Sequence, residues 1–291
     1  MLMTDSNLLK LNSNPPMLNR EPLELIDTHC HIHDRSAYDF AISRQQIGKK
    51  LLAKNPNIPH LPQDFTPEKL ISRANASNVK KMIIVGTSHE DSLAARDFAA
   101  SHENIFWSYG IHPDEAAECA TGDISKNIPD VCPVAIGEVG LDYRNGTKTR
   151  DAQIRLFEQM LQLATDNNLP LIFHVREAFD DFFAVLNNFS VQNAVVHSFS
   201  DSSENLKKSL DRGFYIGVNG LATFSNLPTP PLERTLLETD APFLTPVPVR
   251  GRVNEPSYVP FVADFLANEH NLPVSDIAKI TTKNTETLFG I

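Results

Sequence analysis

The chain has 291 residues, with 26 Lys and Arg against 36 Asp and Glu and a formal net charge of −10. Hydrophobic residues at 41% and charged residues at 21% are the balance of a folded globular protein, and no apolar run reaches the roughly 20 residues a membrane helix requires. The acidic balance excludes the broad basic face needed to coat duplex DNA, but not an enzyme that grips a few phosphates with metals and local arginines.

Residues 1–22, with Asn12, Asn14, Pro15 and Pro16, read as a tail or an extended arm ahead of a single domain over 23–291. The short run Leu23-Glu24-Leu25-Ile26 reads as a strand leading into Asp27-Thr28-His29-Cys30-His31. Alternate strand residues share a face, so Asp27, His29 and His31 project together and Cys30 points into the core. Two imidazoles fixed in this way suit a divalent zinc, cobalt, manganese or iron ion. Residues 34–66, with Pro56, Pro59 and Pro62, show no clear periodicity and read as an insertion before the first convincing helix at 67–78.

From there strands and helices alternate. Residues 81–86 form a strand, and a helix from Ser88 presents Leu93, Ala94 and Phe98 on one face. A strand at 105–111 precedes a short helix near 114–119. The strand at 134–139 leads to an amphipathic helix at 150–167, through Ile154, Phe157, Leu161 and Ala164. A strand at 170–175 is followed by a helix carrying Phe179, Phe182, Phe183 and Leu186. A strand at 194–199 is followed by a helix at 202–212 that Gly213 stops. Strands at 214–218 and 235–238 and helices at 256–268 and 274–288 complete the pattern.

Eight apolar strands, most of them separated by helices, belong in a parallel sheet covered on both faces. The length and count predict an α/β fold, the (β/α)₈ TIM barrel, with a doubly wound open sheet as the alternative. The barrel is expected to be distorted. Pro228, Pro230 and Pro231 crowd residues 221–234, so the helix between the seventh and eighth strands is expected to be reduced or absent. The N-terminal arm, or else a second subunit, is expected to cover the resulting groove.

Six apolar runs end in residues able to bind metal or move protons: His29 with His31, then His112, Glu138, His174, His197 and Asp240. A barrel brings the C-terminal ends of all strands to one mouth. Each residue alone has a plainer reading, since a strand histidine is often only core and Asp240 before Ala241-Pro242 could cap a turn. Six such placements together point to a common site. With His112 set apart, four His and two carboxylates exceed one tetrahedral site but suit two metals that share a ligand. His29, His31 and Asp240 are expected on one ion, His174 and His197 on the other, and Glu138 between them. Glu138 and Asp240 are the expected catalytic groups, with Asp240 accepting the proton of an attacking water. His33 is expected just outside the site, and His60, His89, His102 and His270 at the surface.

Several stretches carry a family resemblance: Asp27-Thr28-His29-Cys30-His31, Gly110-Ile111-His112-Pro113, residues 136–143, Phe173-His174-Val175-Arg176-Glu177-Ala178, Val196-His197-Ser198-Phe199-Ser200, Glu238-Thr239-Asp240-Ala241-Pro242 and residues 248–256. In these stretches, and over about residues 23–290, the chain resembles the TatD family of metal-dependent deoxyribonucleases within the amidohydrolase superfamily. The resemblance implies a barrel, two divalent ions (Mg, Mn, Zn or Co) and hydrolysis of phosphodiester bonds at the end of single-stranded DNA or RNA. His112, Arg176, Arg250 and Arg252 are the expected substrate contacts, the arginines through planar donors that match phosphate oxygens. The alternatives are a metal-dependent ester or amide hydrolase, such as a D-aminoacyl-tRNA deacylase, and a catalytically silent nucleic-acid-binding scaffold. With three cysteines and no CxxC pair, a reducing cytoplasm is the expected compartment, and a monomer without membrane contact the expected state.

Overall fold

A computed structural model of the chain describes residues 24–52, 64–119, 132–145 and 147–291. The expected arm at 1–22 and the proline-rich stretch 53–63 lie outside the described residues. Eight strands pair in parallel and in sequence order: β1 (Leu25–Cys30), β2 (Val79–Val85), β3 (Ile105–Tyr109), β4 (Ala135–Asp142), β5 (Leu171–Arg176), β6 (Ala194–Val196), β7 (Tyr215–Val218) and β8 (Thr235–Leu237). The barrel closes where β1 meets the chain beyond β8. The His31 amide donates to the Ala241 carbonyl and the Asp240 amide to the His29 carbonyl, both at 2.8 Å. The Thr28 hydroxyl donates to Leu237 O at 3.0 Å.

A buried carboxyl fixes this closure. Asp27 is fully buried and accepts from the Thr239 amide at 2.9 Å and the Thr239 hydroxyl at 2.6 Å. Burial pushes the Asp27 carboxyl up to about 7, against the opposing pull of those bonds. Strand alternation explains the core. Ile83, Val85, Ala135, Ile172, Val195, Tyr215 and Leu236 form one cluster with Leu288 and Phe289, the inward set that packs in layers inside such a barrel. The other set, including Ile84, Ile136, Phe173 and Ile216, packs against the surrounding helices.

Those helices are α1 (Arg35–Leu52), α2 (Pro67–Ala76), α3 (His89–Ala100), α4 (Ala116–Cys119), α5 (Arg150–Asn167), α6 (Phe179–Leu186), α7 (Ser203–Asp211), α8 (Val259–His270) and α9 (Val274–Phe289). No helix among the described residues is long and apolar enough to cross a membrane. The first helix differs from the sequence expectation, because the segment read as an aperiodic insertion begins with 18 helical residues. Asp34 starts it, accepting from the amides of Ser36 at 2.8 Å and Ala37 at 3.1 Å. Tyr38 holds it to the barrel, buried with its hydroxyl 3.4 Å from Asn254 O. One capping aspartate and a few apolar residues do the work that a full amphipathic face does elsewhere.

Between β7 and β8 the chain makes only two 3-10 turns, Gly220–Thr223 and Leu232–Arg234, as the prolines predict. Cover comes from within the described residues. Phe265 and Leu266 of α8 face Ile216 and Val218 of β7 across a narrow cavity that Leu227 and Pro228 also line, and α8 and α9 both pack on β8 and β1.

The Asp27 contact generates a prediction. Thr239→Val keeps the volume but removes one of the bonds that a buried carboxyl depends on, so it should lower stability by about 1–3 kcal/mol. Urea unfolding reads this as a lower midpoint at unchanged slope; an unchanged midpoint would show that closure does not depend on this hydroxyl.

Candidate metal centre

Five strand ends build the centre. On β1, His29 is wholly buried and neither of its ring nitrogens has a hydrogen-bond partner. Its Nε2 lies 3.4 Å from Glu138 Oε2 and 3.9 Å from Asp240 Oδ1. Two residues on, the His31 Nδ1 meets Val85 O at 3.0 Å. That contact turns the other ring nitrogen toward the mouth, 3.5 Å from Asp240 Oδ1. Asp240 follows β8 with φ at 58°, a left-handed conformation that aspartate tolerates better than most residues.

Glu138 of β4 lies at the centre. Its Oε1 faces His174 Nδ1 at 2.5 Å, His197 Nε2 at 3.6 Å and His112 Nε2 at 4.0 Å, while its Oε2 faces His29. The His29 and His197 rings stack with centroids 3.5 Å apart. Burial opposes ionisation of Glu138, but His29, His174 and His197 hold its carboxyl well below the usual range. The same attraction works in reverse. Despite burial, Asp240 raises His31 to about 9, Glu138 and Asp142 raise His174 to about 10, and Glu238 and Glu138 raise His197 to about 8. Burial and the neighbouring His197 lower His29. Asp240 is likewise lowered, because His31, His197 and His29 outweigh its burial.

Nitrogen and oxygen donors converge in two overlapping groups, His29–His31–Asp240 and His29–Glu138–His197, each with its atoms within 4.8 Å of one another. A third group joins His112, Asp142 and His174. A buried imidazole with both nitrogens unpaired is costly unless something binds it, and a mixed imidazole–carboxylate set is what divalent transition ions take. The residues fit a metal.

Above the centre opens a cleft of about 580 Å³, lined by His31, His112, Glu138, His174, His197 and Asp240 among others. His112 accepts from the Asp114 amide through Nδ1 at 3.1 Å. Burial and His174 bring it down to about 4, so it is neutral at pH 7.

Comparison with known proteins agrees with this geometry. The family model described as TatD related DNase matches residues 26–290. The chain belongs to the TatD family. A metal-dependent hydrolase of Bacillus subtilis, YabD, is 35% identical over 241 residues, covering 78% of this chain and 94% of that protein. The 3′-5′ ssDNA/RNA exonuclease TatD of Pantoea ananatis is 35% identical over 243 residues, covering 77% and 93%. The crystal structure of the TatD homolog YJJV from Escherichia coli K12 superposes with a TM-score of 0.72 at 25% identity, covering 93% of this chain and all of that one. As a TatD-family protein the chain is a metal-dependent hydrolase.

Of the substrate contacts expected from this family, His112 and Arg176 line the cleft, and Arg250 and Arg252 do not. Arg250 is exposed, with its guanidinium 3.8 Å above the Phe224 ring. Arg252 is buried beside Tyr258. His33, just beyond the strand, pairs with Asp91 at 3.0 Å. His89 is half-buried, not a surface residue, with Nδ1 2.9 Å from the Tyr109 hydroxyl.

Two carboxylates beside the candidate ligands escaped the sequence reading. Asp142 meets His174 Nε2 at 2.9 Å. Glu238 lies 3.0 Å from His197 Nδ1 and accepts from the Ser198 amide at 2.7 Å and from the Asn219 amide nitrogen at 3.2 Å. Its carboxylate occupies the space that a side chain at Gly217 would take. The signal was present, since Asp142 is four residues from Glu138 and Glu238 two from Asp240, spacings that share a strand face. Carboxylates behind a ligating imidazole set its tautomer and basicity. Glu238→Gln should therefore weaken divalent-metal affinity by about 10–100-fold with the fold intact. Calorimetric titration of metal into the chelated protein measures this; wild-type affinity would reduce Glu238 to a packing role.

Proposed function

We propose that this TatD-family protein is an exonuclease that hydrolyses phosphodiester bonds at the end of single-stranded DNA or RNA with two divalent ions. The observation that carries the reading is the division of the Glu138 carboxylate, one oxygen toward His29 and the other toward His174 and His197. His29, His31 and Asp240 would hold one ion, His174 and His197 the other, and Glu138 both. Bound there, such a pair acidifies a water and stabilises charge on the attacking and leaving oxygens. The exonuclease name carried by the Pantoea ananatis relative supports a nucleic-acid substrate and attack from the 3′ end.

The chain's own residues have separate tasks. Asp240 is ionised at neutral pH and stands at the cleft, where it takes the proton of the attacking water. The Asp114 amide occupies His112 Nδ1, so the neutral ring carries its proton on Nε2 and donates it as a hydrogen bond to a phosphate or leaving oxygen. Arg176, exposed on the cleft wall, offers a planar fork to a neighbouring phosphate. The six-residue set is complete, which favours catalysis over a silent scaffold. The same reading takes the enzyme as a cytoplasmic monomer, supported by cysteines without a pairing pattern.

Turnover of an end-labelled single-stranded oligonucleotide should vanish with chelator and return with Mg, Mn, Zn or Co. Asp240→Asn should lower kcat by about 10²–10⁴-fold, the range for loss of a positioned base. His112→Ala should lower activity but keep its metal. Metal analysis showing His112→Ala empty would overturn this division of roles, and hydrolysis of an aminoacyl ester without oligonucleotide turnover would overturn the nuclease reading.

A further inference from the structure

The two sides of the cleft differ in chemistry. The β3 and β5 ends contribute the polar or charged His112, Asp114, Glu115, His174 and Arg176, with Val175 the apolar exception. Beyond Asp240, the chain after β7 and β8 contributes Leu221, Phe243 and Leu244. Phe243 is one of the few large apolar side chains exposed among the described residues, at 37%. It stands three residues from Asp240, and its amide donates to the Asp240 carbonyl at 2.8 Å.

The apolar side is built and held. Asn254 donates from its side chain to Phe243 O at 2.5 Å and to Thr239 O at 2.8 Å, and from its amide to Pro242 O at 3.0 Å. Leu244 adopts φ 54°, a left-handed conformation that is strained for a leucine and persists only where its surroundings impose it. The 3-10 turn after β7 is tied to this loop. Asn219 Oδ1 caps it at the Leu221 amide at 3.0 Å, and Thr223 Oγ1 accepts from the Val247 amide at 2.9 Å. A side chain at Gly220 would strike the Leu244 carbonyl and Pro246. Glycine there lets the turn and loop touch, setting Leu221 beside Leu244. These contacts keep an aromatic face in water next to the candidate base, a placement that packing alone does not call for.

A nucleotide has the matching two-sided chemistry, a charged phosphate joined to a flat base. We propose that Phe243, flanked by Leu221 and Leu244, is a stacking platform for a nucleobase next to the scissile phosphodiester. This rests on the nuclease reading and deepens it, because a stacked face accepts any base while contacting no edge. That predicts a substrate preference set by the presence of a base and not by its identity.

The test compares a single-stranded oligonucleotide with one carrying three abasic residues at each end, for wild type, Phe243→Leu and Phe243→Tyr holoenzymes. Wild type should show a KM about tenfold lower for the base-bearing ends, the order that stacking of one base supplies. Phe243→Leu keeps an apolar side chain and loses the ring, so this ratio should fall to near one. Phe243→Tyr should keep the ratio. A terminal 2-aminopurine joined through a non-hydrolysable linkage and bound to the holoenzyme should be quenched by wild type and not by Phe243→Leu. An unchanged ratio in Phe243→Leu overturns the platform and leaves the nuclease reading standing. Failure of wild type to hydrolyse either oligonucleotide overturns both.

Discussion

An ionised carboxylate inside a barrel of apolar strands is tolerated only where positive charge or hydrogen-bond donors surround it, because desolvation alone costs several kcal/mol. Glu138 is such a group, and much of the site's arrangement follows from it. His29, His174 and His197 face it from three other strands. Two of those imidazoles are backed in turn by Asp142 and Glu238, while His31, beside Asp240, is backed by a backbone carbonyl. Through His174 and His197, charge therefore alternates in sign outward from the centre. Removing one member would leave its neighbour buried without a counterpart, so the set behaves as one unit and not as separately replaceable residues.

The same unit depends on the closure of the barrel. His29 sits on β1, His31 just beyond it, and Asp240 follows β8, the first and last strands of the barrel. Their meeting rests on the register in which the His31 amide finds Ala241 and the Asp240 amide finds His29. A slip of one residue would turn the histidines away from the mouth, since strand side chains alternate. The Asp27–Thr239 bonds hold that register from beneath. A buried acid that looks like a candidate ligand in the sequence is thus spent on aligning the ligands.

Much of this was legible in the sequence, for a physical reason. Apolar strands that each end in a chemically active residue are hard to place in any fold but one that gathers strand ends, and alternation says which side chains face the mouth. The rule that grouped Asp27, His29 and His31 also covers Glu238 with Asp240 and Glu138 with Asp142. What hid Glu238 and Asp142 was that a carboxylate beside a motif reads as solvent-facing until its histidine partner on another strand is known. Helix α1 was hidden because, among its described side chains, the buried Tyr38 with Ala41 and Ile42 holds it to the core and Asp34 caps it, too short a pattern to read as a periodic face. Arg250 and Arg252 lie outside the cleft lining for the converse reason. An arginine's surroundings are set by distant packing, and here a phenylalanine ring and a tyrosine claim the two side chains.

Charge at the mouth joins chemistry to binding. Among the described residues that line the cleft, Asp34, Asp114, Glu115, Glu138 and Asp240 are acidic and Arg176 is the one arginine, with no lysine. With a net charge of −10 on the whole chain, a polyanion approaching this opening meets repulsion before it meets a partner. Divalent cations held by the carboxylates would reverse the local sign, so the ions that serve hydrolysis would also admit the phosphate. Binding energy is then scarce on the polar side of the cleft and falls to contacts that carry no charge. The apolar side, with an aromatic ring held in water by a strained and tethered loop, is where such contacts are available.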